Sequence, residues 1–422
     1  MLELRIPFVP AVLLLCGLAS LPAGAAPCTT RIDGFDLRGL EKTQAYFLTL
    51  WSGLKTGQTV DRKALDTARQ RLMDTALYQD VTVTAETPCA EHSRIVITVH
   101  EKHYHLIYPR ASRNGDGDVD LGMRYRGSNL FGRGQSIALL LSRKDYANGN
   151  SADRFQLDYD LPLYEPPYRI RTRLYRADTL LSGSQTLATE TDSQLRLSIG
   201  RDWHLSAVSR PIGVFALMRL QRKSLDHPSP DLELEPGVFN TLGVRLEFDD
   251  VHRSKTRRFG RFFSLEYDQG IFGLGSDYET TLVRFEGRHY IPVNDTDNLN
   301  LRYIIGLASE KVFNQNVFTI GGSATVRGIE SNSVDGNGLW LLNLEYLKGF
   351  EQWPSFRIAG FTDIANVFDR YNDFRGKPWQ TTLGLGLRWK IRSFVKTDLF
   401  IDYGYDPDSG YSRFYAGTHL NF

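Results

Sequence analysis

Two rhythms of hydrophobic and polar residues divide this chain. From residue 104 onwards the period is two. Leu242, Val244, Leu246 and Phe248 alternate with Arg245, Glu247 and Asp249, and Leu383, Leu385, Leu387 and Trp389 alternate with Gly384, Gly386, Arg388 and Lys390. Alternation of this kind places one set of side chains on each face of a pleated strand. Turn-forming clusters recur at fairly even intervals, which predicts about sixteen strands at roughly 20 residues for each strand with its turn.

Residues 28–102 read differently. A short strand is expected over Thr30–Phe35, ended by the turn-prone Asp36–Gly39. Helical spacing follows over Lys42–Trp51, with Tyr46, Phe47 and Leu50 on a common face. It returns over Asp61–Leu77, with Asp61 as N-cap and Leu65, Ala68 and Leu72 in phase. Two alternating segments close the region: Tyr78–Thr84, with Val81 and Val83 on one face, and Arg94–Val99, with Ile95, Ile97 and Val99. The expected order is β-α-α-β-β, a small α+β domain.

Alternation alone fits a soluble sandwich, whose charged face meets water, or a transmembrane barrel, whose charged face lines a lumen while its apolar face meets lipid. Long strands favour the barrel. So do aromatic residues such as Trp340, Tyr346, Phe356 and Trp389 near strand ends, where interfacial girdles form. After residue 26 there is no uncharged apolar run of the roughly 20 residues that a spanning helix needs. Met1–Ala26 reads as a secretory signal peptide: Arg5, an apolar run through Leu18, then Ala23, Gly24 and Ala25. Leu15 before Cys16 argues against a lipoprotein site. The expected division is 1–26 signal peptide, 27–102 small periplasmic domain and 103–422 barrel.

The formal net charge is +1 with no concentrated basic patch, which sets nucleic-acid binding aside. Beyond the signal region, Cys28 and Cys89 form an even pair in a disulfide-permissive compartment, each bordering a candidate strand, and are expected to bond to each other. Catalytic chemistry is not expected. Asn114, Asp116, Asp118 and Asp120 lack the Gly and closing Glu of a calcium loop and read as a Gly/Asp turn. His103 and His105 flank Tyr104 without further ligands. There is no nucleophile elbow and no phosphate-binding loop. The chain is read as a non-enzyme with no cofactor and no metal site.

Several longer phrases carry a resemblance. The segment LKTGQTVDRKALDTARQRLMDTALYQDVTV and the closing RIVITVHEK resemble a POTRA domain. Between the eleventh and twelfth candidate strands, Val326-Arg327-Gly328 matches the VRG motif of the BamA, TamA and TpsB outer-membrane superfamily, with Ile329 where that family usually has Tyr or Phe. Phe361, Asp363 and Ala365 resemble the family's FxDxG strand motif with Ala in the Gly place. Gly122–Leu139 is similar to its opening hairpin, and the alternation of Phe414, Leu420 and Phe422 resembles the C-terminal signal by which such barrels are recognised for assembly.

The resemblance implies that the VRG loop folds back into the lumen. Strand parity turns Leu341, Asn343 and Glu345 inward, and a guanidinium withdrawn from bulk water needs a carboxylate, so Asp363 is the expected partner of Arg327, with Glu345 nearby. The function so implied is polypeptide transport or assembly at the bacterial outer membrane, with an unfolded client captured by the POTRA domain. Outer-membrane lipids and, during biogenesis, the barrel-assembly machinery are the other expected partners. The alternative is a porin-like diffusion channel whose periplasmic domain serves as an anchor.

Overall fold

The structure, a computed structural model, describes residues 28–418 apart from 114–118, 147, 165–166, 183–186, 205–210, 228, 230–231, 233, 255–256, 370–377 and 396–397. Residues 1–26, read as a signal peptide, Asn114, Asp116 and Asp118, and the terminal Leu420 and Phe422 lie outside the described residues.

The N-terminal domain runs β1 (Thr29–Arg38), α1 (Ala45–Ser52), β2 (Thr59–Asp61), α2 (Arg62–Asp74), β3 (Tyr78–Ala85) and β4 (His92–Glu101). Its sheet has the order β2-β1-β4-β3, with β1 parallel to β4. The order read from sequence thus gains a strand, β2, whose three residues are too few to show a period. Helix α2 starts where Asp61 accepts the Ala64 N–H at 2.8 Å. It buries Ala68 and Leu72 against Ile32, Val81, Ile95 and Ile97.

The inner face of α1 differs from expectation. Leu48 and Ser52 are buried, whereas Tyr46 is exposed. The helix has a second apolar stripe, Phe47 and Trp51, whose rings pack 5.1 and 6.1 Å from Tyr164 in a barrel turn. That partner is invisible to local periodicity. A disulfide between Cys28 and Cys89 ties the start of the domain to the β3–β4 connection.

The barrel begins with β5 (His105–Arg113), β6 (Val119–Leu130), β7 (Gln135–Asp145), β8 (Ser151–Pro162), β9 (Tyr168–Ser182) and β10 (Leu187–His204). It continues with β11 (Pro211–Leu225), β12 (Gly237–Arg253), β13 (Arg258–Gly270), β14 (Thr281–Pro292) and β15 (Asn298–Ala308). A short ribbon, β16 (Phe318–Ile320) with β17 (Val334–Gly336), interrupts the series. The last strands are β18 (Gly338–Gly349), β19 (Phe356–Phe368), β20 (Gln380–Lys390), β21 (Asp398–Tyr405) and β22 (Ser412–Gly417). Without the ribbon these form one 16-stranded sheet, paired in sequence from β5 to β22. The first and last strands meet at a seam where Thr418 Oγ1 lies 2.7 Å from the Tyr108 hydroxyl; no backbone ladder joins them among the described residues.

The barrel is apolar outside and charged within. Leu383, Leu385 and Leu387 are 52%, 65% and 54% exposed on the outer wall, an arrangement only a lipid surround makes favourable. Facing inward, Arg171 grips Glu247 through two bonds of 2.7 and 2.9 Å, Arg219 pairs with Asp268 at 3.1 Å, and Glu286 gathers Arg284, Arg288 and Arg302. The N-terminal domain sits on one rim. There Asp74 accepts the Arg253 N–H at 2.7 Å, and its other oxygen lies 2.9 Å from His252 Nδ1. The connection between β15 and β18 lies at the opposite end of the barrel from this rim.

Candidate functional site: a loop held inside the barrel

The connection at 309–337, between the eleventh and twelfth barrel strands, folds back into the barrel. Its apolar residues Ile320 and Val326 pack on Leu339, Leu341, Ala365 and Val367 of the wall. Ile329 joins this cluster as a half-buried side chain, so an aliphatic group fills the place where the family motif has an aromatic ring.

The tip needs close backbone approach. Gly328 has φ +105°, a conformation that disfavours any side chain, and it lies against Gly404 of β21. A Cβ at Gly404 would sit 2.7 Å from both the Arg327 carbonyl carbon and the Gly328 nitrogen. Tyr415 of β22 closes the other side: its hydroxyl accepts the Gly328 N–H at 3.2 Å and donates to the Ile329 carbonyl at 3.0 Å.

This backbone delivers Arg327, 2% exposed, to the inner wall. Its Nε and Nη2 donate to the two oxygens of Asp363, both at 2.8 Å, and its backbone N–H adds a third bond to Asp363 at 3.0 Å. Nη1 reaches Glu345 at 3.2 Å and Asp402 at 3.1 Å. The guanidinium carbon stands 3.4 Å from the Phe361 ring centroid, so the same cation is stacked and forked at once. Asn343 braces the arrangement, donating to Asp363 Oδ1 and to the Thr325 carbonyl, each at 2.8 Å. Arg388 supplies a second cation, bonded to Glu345 and, at 2.5 Å, to Asp402.

The structure therefore brings Arg327, Asp363, Glu345 and Phe361 together, with Ala365 buried in the adjoining cluster. Phe414 stands apart on the outer wall, 74% exposed. Sequence reasoning missed Asp402, Arg388 and Tyr415 as members of the site. Parity places each on the inner face, opposite Ile401, Leu387 and Phe414, but parity carries no information about height along the barrel. Among the described residues no three His, Cys, Asp or Glu side chains are placed to hold a metal ion. His103 and His105 lie elsewhere: the first packs its ring 5.2 Å from Phe394, and Nδ1 of the second is 2.8 Å from the Tyr125 hydroxyl.

An inside-out antiparallel barrel with a loop bonded into its lumen and a small mixed-sheet domain on one rim defines a class of outer-membrane protein. Residues 129–394 match the model of the Omp85 superfamily domain, and the chain belongs to the Omp85 superfamily. Among solved structures it is similar to BamA from Haemophilus ducreyi lacking POTRA domains 1–3, with 15% identity, TM-score 0.54, and coverage of 92% of this chain and 85% of that one. CdiB from Acinetobacter baumannii matches with 16% identity and TM-score 0.61 over 92% and 73% of the two chains, and CdiB from Escherichia coli with 11% and 0.61 over 94% and 91%. These likenesses concern the fold. No curated protein matches the sequence.

Proposed function

We propose that this protein moves polypeptides into or across the outer membrane: the N-terminal domain, read as a single POTRA domain, receives an unfolded client in the periplasm, and the barrel passes it outward or releases it laterally. The observation that carries this reading is the anchor at Arg327. A loop held inside the barrel by side-chain contacts, with Arg327 and its carboxylates at their centre, can be displaced while the strand ladders stay whole, which suits a passage that opens only for a client.

Client capture is read as strand addition, in which backbone hydrogen bonds give affinity with little dependence on sequence. Two edges are open to it. β3 is an edge strand, and β2 covers only Thr29–Arg31 of β1, leaving the rest of that edge unpaired by strand. A photo-crosslinker placed at Thr82 on β3 or Asp36 on β1 in cells is expected to trap unfolded polypeptide, to be identified by mass spectrometry. If neither position traps any polypeptide, and the purified protein gives large, steady, client-independent conductance in planar bilayers, the diffusion-channel reading replaces this one.

A further inference from the structure

The arginines inside the barrel described above are matched with carboxylates. Two on the outer wall are not. Arg176 of β9 and Arg222 of β11 both stand exposed on the lipid-facing side, and neither has a hydrogen-bond or ion-pair partner among the described residues. They are held in register: Arg176 pairs across the sheet with Ser193 of β10, and Ser193 pairs with Arg222. Two strand spacings separate their backbones by about 10 Å, with a hydroxyl between them.

The neighbouring rows give this triplet its meaning. Two residues further along each strand, Leu174, Leu195 and Leu220 form a row in the same register. On the other side Asp178 accepts a hydrogen bond from Thr191 at 2.7 Å, so the wall turns polar there. The Arg-Ser-Arg row thus lies at the boundary of the apolar band, where a guanidinium on a barrel's lipid face costs far less than at the midplane. The two arginines and the leucine row line one shallow groove of about 470 Å³. A 3-10 turn, Phe272–Leu274, overhangs the same side: the Leu274 carbonyl accepts a bond from Asn240 at 2.7 Å, and Phe272 is 58% exposed.

The level of this row fixes the leaflet. β9 and β11 both run away from the rim that carries the N-terminal domain, and Arg176 and Arg222 lie in their second halves. With that domain in the periplasm, as the proposed function has it, the row meets the outer leaflet.

We propose that Arg176, Ser193 and Arg222 bind the phosphate of an anionic lipid of the outer leaflet, whose acyl chains lie along Leu174, Leu195 and Leu220. The chemistry favours phosphate: two planar forks and a hydroxyl converge from opposite sides on one tetrahedral anion, and no carboxylate in the triplet competes for the forks. The leucine row supplies the apolar contact that separates a lipid from a free ion.

The test uses the full-length protein in nanodiscs of phosphatidylcholine, with diphosphoryl lipid A added as probe and bound lipid counted by native mass spectrometry. Lipid A retention is expected to weaken by at least about tenfold in Arg176→Gln/Arg222→Gln, since charge-assisted bonds to phosphate are lost, with Ser193→Ala giving a smaller loss. Inorganic phosphate should not compete. Heat-modifiable migration on a gel, unchanged from wild type, shows that the variants are folded, and Arg176→Lys/Arg222→Lys, which keeps both charges, should retain part of the binding. Equal retention of lipid A by wild type and the Gln variant overturns the proposal, as does full competition by inorganic phosphate. Because the readout is bound lipid, loss of client transport in the same variants neither supports nor sinks it, so the two readings fail separately.

Discussion

Replacing Arg327 by alanine removes four guanidinium hydrogen bonds and leaves Arg388 as the cation bonded to Glu345 and Asp402. Asp363 loses most, since among the described residues it keeps Asn343 and the backbone N–H of residue 327. Removing one partner from a buried pair costs on the order of 3–5 kcal/mol, and hydration of the lumen draws the figure towards the lower end. At about 1.4 kcal/mol per tenfold, a loss of about 3 kcal/mol moves the equilibrium for holding the loop inside by roughly 10²-fold. The barrel itself is held by its strand ladders and should persist. The expected phenotype is a protein that reaches the membrane and shows normal heat-modifiable migration but has lost client transport and changed its conductance. Combined with Ile329→Cys, the alanine substitution should make the introduced thiol reactive to a membrane-impermeant maleimide from outside. Arg327→Lys should rescue part of the loss, because an ammonium restores charge without the fork. An alanine variant with full client transport, whose thiol introduced at Ile329 stays as protected as it is beside an intact Arg327, would refute the reasoning.

Four further outcomes are expected. Tyr415→Phe removes the hydroxyl that serves Gly328 and Ile329 and should loosen the loop tip by about 1–3 kcal/mol, read as faster hydrogen exchange at Gly328. Cys28→Ser/Cys89→Ser should lower the stability of the N-terminal domain by about 2–4 kcal/mol, seen in denaturant melts, while alkylation of the oxidised parent should add no mass at either cysteine. Burial pushes Lys102 down to about 8. Its folded-state pKa is then below the unfolded one, so the junction it occupies should be less stable below about pH 8 and gain stability as pH rises towards about 10.4, a slope that Lys102→Met should flatten in thermal melts. Deleting Phe422 should reduce the yield of folded barrel in the membrane more than it alters the barrel that does fold; unchanged yield would count against reading the terminal aromatic as an assembly signal.

What could be read in the sequence was whatever repeats over short distances. The alternation through Leu383–Trp389 located the lipid face, and Asp61 before an apolar helical stripe located the start of α2, because both signals lie within a few residues of where they act. The site needed more. Arg327 and Asp363 could be paired from a motif and parity, yet Asp402 and Arg388 join them through the curvature of the sheet, which brings β21 and β20 beneath a loop that departs from β15. Face is local information; height and reach are not. The exposed Tyr46 illustrates the same limit from the other side. A helix with two apolar stripes cannot announce which one faces its own domain until the barrel's Tyr164 claims the other.

The attachment of the N-terminal domain also bears on the order of events during folding. Gln44 donates its backbone N–H to the Gly132 carbonyl, Asn129 donates to the Thr43 hydroxyl at 2.8 Å, and Glu101 accepts the N–H groups of Lys42 and Thr43. A Cβ on Gly132 would collide with the Lys42 carbonyl, so the turn between β6 and β7 is fitted to the domain surface. The domain is held by β1 paired in parallel with β4 across 61 residues and by a disulfide of the same span, so its surface forms only when its two ends have met. That surface and the turn between β6 and β7 must therefore both be formed before the junction can close. The junction is thus a late contact, made after the domain has closed on itself and the first barrel hairpins have turned.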